Sequence, residues 1–242
     1  MRELQVTPES ATKAHILAVA IRLFGEHSFD TVSLRDITVA AKVNLGAVNY
    51  HYGSKLNLIR ETLKSLASPI NEKRIASLSE YGASLGKKRG ELETVIRLLI
   101  EPFVRAARDK DSLSVYYPRL LILARTLPAK LIGTYTSEQH DELARRFVGA
   151  FRRASPELGE AEAFWRYDFT IGAMLNVVSD PYRSYRLRRL SGGLCDTDDP
   201  DQIIDELVVF LAAGMKAHAP VARKLQKQNK ARDVSHRAHQ AG

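Results

Sequence analysis

Cysteine is almost missing: Cys195 stands alone in 242 residues, which excludes an intramolecular disulfide and any zinc site built from several thiolates. A reducing compartment suits such a chain. Long apolar runs are missing too, since no stretch reaches the roughly 18 consecutive apolar residues of a membrane span, and the N-terminus lacks the basic-then-apolar order of a signal peptide. The expectation is a soluble, cytoplasmic protein without membrane partners. Short catalytic signatures are absent as well: there is no G-x-S-x-G, no H-E-x-x-H, no phosphate-cradling glycine loop and no paired Cys/His ligand set. We therefore expect no enzyme, no cofactor and no metal. Strand-type alternation and internal repeats are also lacking.

What is present is charge and helical periodicity. The formal charge of +8 favours an acidic partner, but residues 220–242 hold six Lys/Arg against one Asp and supply +5 of it. That tail has too little apolar surface to offset its ordering entropy and is expected to be disordered. Elsewhere the pattern reads as an all-α chain. An arm at 1–9 precedes a three-helix, helix-turn-helix unit at 10–54, and a helical ligand-binding and dimerisation domain follows at 55–219. Its first helix, 55–68, connects the two and is kinked or ended by Pro69. Further helices are expected over 70–85, 92–107 with a bend at Pro102, 115–126, 128–154, 161–178 and 201–217, with a short basic segment over 180–190.

The stretch from Ser33 to Lys55 is the most informative. Ser33 can cap a short helix, Asp36 can reach back to it, and Leu34, Ile37, Ala40 and Ala41 recur on one face, leaving Arg35, Asp36 and Thr38 outward. After a turn at Lys42 and Val43, Asn44 can cap a second helix from Leu45 to about Tyr50. Leu45, Gly46 and Ala47 on its first turn permit close approach to DNA and contact with thymine methyls, and Asn49 offers a bidentate amide to an adenine edge. Val48 and Tyr52 read as packing residues. Tyr50, His51 and Lys55 carry a hydroxyl, a ring nitrogen and a charge suited to phosphate, while Ser33 and Arg35 start the preceding helix.

This segment resembles the DNA-binding domain of the tetracycline-repressor (TetR) family. The resemblance rests on an apolar first helix ending at Phe24, a Ser-started second helix, a turn ending in Val43, then Gly46, Tyr50, His51 and Ser54-Lys55 in that family's order. It departs in carrying Lys42 where the turn commonly has glycine, and Tyr52 where phenylalanine is frequent. The resemblance implies phosphate contacts by Ser33, Tyr50, His51 and Lys55, and base-side contacts by Arg35, Leu45, Gly46, Ala47 and Asn49. The wording VNLGAVNYHYGSK is further similar to a PsrA-like, fatty-acid-responsive branch, implying an apolar or acyl-type effector.

By the same resemblance, the later helices pair two subunits and enclose a small molecule. Phe169, Ala173 and Val177 on one helix, with Leu207, Phe210, Leu211 and Gly214 on another, are the expected dimer face. Pocket candidates are Phe103, Tyr116, Tyr117, Leu120, Trp165, Phe169, Ile171, Met174 and Leu175, with Arg119 or Arg166 as an anion partner. An ordinary core needs the same apolar spacing, and both arginines equally suit a surface. The expected function is a homodimeric repressor on a roughly palindromic double-stranded DNA operator, released by a small-molecule effector. An activator of the same family, or a helical adaptor that has lost DNA binding, remains the alternative.

Overall fold

The computed structural model describes the backbone of residues 8–127 and 129–217, and the side chains of all of these except 129–139. Most of the expected N-terminal arm, Pro128 and the basic tail lie outside the described residues. Among the described residues every regular element is helical: α1 Pro8–Glu26, α2 Leu34–Ala41, α3 Leu45–Tyr52, α4 Lys55–Leu85, α5 Leu92–Ala106, α6 Tyr117–Arg125, α7 Ala129–Ala154, α8 Glu160–Val178, α9 Arg186–Leu190 and α10 Pro200–Lys216. None is long and apolar enough to cross a membrane.

The first three helices close on a small core. Ile16, Ala20 and Phe24 of α1 meet Ile37 and Ala41 of α2, Val48 and Tyr52 of α3, and Leu58 of α4, all buried. Phe29, between α1 and α2, lies edge-on to Phe24 with ring centroids 5.3 Å apart. On α2 the inward face is rotated from the expected one: Thr38 is buried, its hydroxyl donating to the Arg35 carbonyl at 2.8 Å, while Ala40 is exposed. The turn accommodates Lys42 by placing it in the left-handed region at φ 54°, where the Val43 amide closes on the Thr38 carbonyl at 3.0 Å.

The connecting helix does not stop at residue 68. α4 runs unbroken through Pro69 to Leu85, because Leu63, Leu66, Ala67 and Ile70 share buried positions on both sides of the proline and their packing outweighs one lost backbone hydrogen bond. Pro69 itself is exposed. The segment expected as a helix over 115–126 begins instead with a 3-10 turn, Leu113–Tyr116, which meets α1 before α6 starts.

α5 and α10 pack side by side, laced by Arg97–Asp205, Arg105–Asp201 and Lys216–Glu93 pairs at 2.7, 2.8 and 2.7 Å. Exposed pairs of this kind contribute about 0–1 kcal/mol each, so buried Ile203, Ile204, Leu207, Val208 and Leu211 carry the packing. Between α8 and α10 the chain turns around Asp180. Burial would raise this carboxyl, but the Leu187 amide, Thr197 hydroxyl and Arg188 amide hold it below the usual carboxylate range. The Leu187 and Thr197 bonds are both 2.9 Å long.

Candidate nucleic-acid interface

Local capping sets the geometry of the reading surface. The Ser33 amide donates to Asp36 Oδ2 at 2.8 Å and the Asp36 amide to Ser33 Oγ at 3.2 Å, a reciprocal box that starts α2. The Ser33 hydroxyl, donating to the same oxygen at 2.7 Å, and then the Ser33 amide hold the Asp36 carboxyl below its usual value, with smaller help from Arg35 and Lys55. Asn44 Oδ1 accepts from the Ala47 amide at 2.8 Å and starts α3. A Cβ on Gly46 would lie 3.1 Å from Asn44 Oδ1, so glycine there gives the cap room as well as leaving the surface low.

With both helices fixed, α3 divides cleanly. Val48 and Tyr52 face inward, and the Tyr52 hydroxyl donates to the Lys13 carbonyl at 2.6 Å, with burial pushing the phenol up to about 12. Leu45, Gly46, Asn49 and Tyr50 are exposed, and Ala47 and His51 are half-buried. The His51 ring stands edge-on to Tyr50, centroids 5.1 Å apart. Ser33 and Arg35 are exposed, and Lys55 opens α4 behind the Ser54 cap. Glu9, which the sequence places in the N-terminal arm, lies in the first turn of α1, where its carboxylate accepts the Tyr50 hydroxyl at 3.1 Å. Nothing local in the sequence signals a contact over that separation.

The family described as bacterial regulatory proteins of the tetR type matches residues 16–62, and a tetracyclin repressor-like C-terminal domain matches residues 97–214. The chain belongs to the tetracycline-repressor family. Accordingly, this TetR-family member is a transcriptional regulator and not an enzyme. It is 30% identical over 107 residues to the HTH-type transcriptional regulator AcrR of Shigella flexneri, covering 44% of this chain and 48% of that one. The chain thus spans about half the length of that curated relative. A TetR-like regulator from Rhodococcus sp. RHA1 has the same fold, with a TM-score of 0.60 at 16% identity over 88% of this chain and 100% of the other. So does AibR, solved with isovaleryl coenzyme A and operator DNA, at TM-score 0.60, 14% identity and coverage of 81% and 96%.

The residues expected to line a pocket separate into three groups. Phe103, Tyr117, Leu120, Met174 and Leu175 are buried between the body helices, with Ile171 half-buried beside them. Trp165 and Phe169 point outward at 52% and 59% exposure, because the inward register of α8 runs through Ala163, Thr170, Met174 and Val178. Tyr116 and Arg119 turn to α1: the Tyr116 hydroxyl donates to Glu26 at 2.9 Å, and Arg119 donates to the Glu26 and His27 carbonyls at 3.0 and 2.9 Å. Arg166 is likewise engaged, donating to the Met215 carbonyl and, at 2.6 Å, to that of Ala217. Of the expected dimer face, Phe169, Phe210 and Gly214 are exposed, Ala173 and Val177 half-buried, and Leu207 and Leu211 buried within the chain by α10 packing on α5 and α8.

Proposed function

We propose that this regulator is a homodimeric repressor that binds a roughly palindromic operator and leaves it when a small molecule enters the body. The observation that carries the reading is the two-sidedness of α3: its packing residues are buried while Leu45, Gly46, Asn49 and Tyr50 form an unobstructed outer face. Ser33, Tyr50, His51 and Lys55 are assigned to phosphates, and Arg35, Leu45, Gly46, Ala47 and Asn49 to base edges. Two such heads must match successive major grooves about 34–36 Å apart, which one chain cannot do. The exposed Phe169 and Phe210 on neighbouring helices support pairing through α8 and α10.

The effector is assigned to the body helices, with an apolar or acyl-type character, in keeping with the buried Phe103, Leu120 and Met174 between them. AibR, of the same fold, is a precedent through its isovaleryl coenzyme A. Ligand binding shifts the operator equilibrium only by its differential affinity for the two states, typically ~1–3 kcal/mol.

Sequencing of genomic fragments retained by the purified protein tests this reading, and failure of the wild type to retain any fragment at low salt would sink it. On a selected operator, Lys55→Ala should weaken binding to every sequence and flatten the salt slope by about 1. Asn49→Ala should lose ~1–3 kcal/mol at one operator position only. An equal loss on random DNA refutes the base-reading role.

A further inference from the structure

Arg74 lies inside the body on α4 and is 4% exposed. Its Nε donates to the Leu99 carbonyl at 2.6 Å, Nη1 to Asn71 Oδ1 at 3.2 Å, and Nη2 to the Met174 sulfur at 3.7 Å. The Phe103 ring lies 5.7 Å from its Cζ. A guanidinium has five N–H donors, so donors outnumber acceptors here, and a thioether is a weak acceptor. Among the described residues no carboxylate pairs with Arg74, and the groups that favour its charged form are the phenols of Tyr167 and Tyr117. Burial pushes the guanidinium down to about 10, which leaves it charged at neutral pH.

Asn71 is 6% exposed and spends its carbonyl oxygen on Arg74, while its Nδ2 is buried with no acceptor. Buried polar groups are ordinarily satisfied, and buried charges ordinarily paired, because the alternative costs several kcal/mol. Here an unneutralised cation and an orphan amide donor share one site, and the group that would complete both is an oxyanion. The surrounding Phe103, Tyr117, Leu99 and Met174 side chains suit an apolar remainder.

We propose that Arg74, with Asn71, is the receptor for the carboxylate of an apolar effector. The assignment rests on the ligand-responsive reading above and gives that ligand its charge. Arg119 and Arg166 spend both terminal nitrogens on backbone carbonyls, whereas Arg74 spends only Nε on one, so Arg74 takes the role in their place. A purely structural Arg74, serving only as a strut from α4 to the Leu99 carbonyl, would show no preference for an anionic ligand.

The test compares octanoate and benzoate with octan-1-ol and benzamide, matched in apolar bulk but uncharged, by calorimetric titration of the full chain. The carboxylates should bind at least ~10-fold more tightly than their neutral counterparts, a difference of ~1.4 kcal/mol. Arg74→Met should abolish that preference and Asn71→Leu should reduce it; Arg74→Lys, which keeps charge but loses the fork, should retain part of it. Should Arg74→Met not fold, the wild-type comparison and Arg74→Lys decide the matter. Equal affinity for acid and alcohol, no carboxylate binding up to about 10 mM, or an undiminished preference in Arg74→Met overturns the proposal. Operator retention by the wild type is scored separately: retention without carboxylate preference rejects the receptor and leaves the regulator standing. Carboxylate preference without retention does the reverse.

Discussion

A methyl group at Gly25 would lie 2.4–2.7 Å from atoms of the Tyr116 side chain. Gly25 is helical and needs no unusual backbone angle; what it supplies is the space into which Tyr116 packs on α1. Gly25→Ala should therefore destabilise the protein by ~1–3 kcal/mol in urea unfolding, and Tyr116→Ala in the same chain should make the two losses strongly non-additive. Lys42 presents the opposite case, a side chain where the backbone at φ 54° favours none. Lys42→Gly should raise stability by ~0.5–1 kcal/mol, the left-handed penalty of a non-glycine residue less the added entropy of glycine in the unfolded chain. For Glu9 the expected effect is on binding instead of folding. Its carboxylate holds the Tyr50 hydroxyl on the face assigned to phosphate, so Glu9→Gln should tighten operator binding roughly twofold or more by removing a like charge from the contact.

At the scale of the helix, α4 joins head to body through a proline that removes one backbone donor. Pro69→Ala restores that bond at an exposed site and should stabilise the chain by ~1–3 kcal/mol in thermal unfolding. The short helices were legible in the sequence because their determinants are local: Ser33 with Asp36, and Asn44 with Ala47, are neighbours in the chain, and the capping distances follow from spacing alone. α4 was not, because the rule for proline is local and the packing that overrides it is not. Breaking α4 at Pro69 also concealed Arg74, which continues the buried register of Leu63, Ala67 and Ile70. The outward turn of Trp165 and Phe169 was hidden for another reason. α8 carries large apolar residues on more than one side, and periodicity cannot say which side its own chain covers.

For the whole molecule, the exposed apolar face of α8 and α10 is the feature a monomer least explains. Phe210 is 70% exposed beside a cleft of about 430 Å³ lined by Ala173, Val177 and Leu207. If the proposed pairing holds, Phe210→Glu should shift sedimentation from dimer to monomer and reduce operator affinity by at least ~10-fold, since each head then binds alone. Unaltered sedimentation would place the interface elsewhere.

The bonds from Arg119 to the last carbonyls of α1 have a mechanical meaning beyond their strength. The Arg119 guanidinium also lies 5.9 Å from the Tyr182 ring, in the segment that follows α8, and the Tyr182 hydroxyl donates to the Val115 carbonyl. The head is thus held by its covalent continuation into α4 and, off that axis, by Arg119 together with Tyr116, whose hydroxyl donates to Glu26. A single fastening fixes where a body is; two fix which way it faces. A displacement of the segment after α8 would therefore reach the reading helix as a change of heading, and removing both the Arg119 and the Tyr116 contacts would let the head swivel about α4 while staying at the same distance.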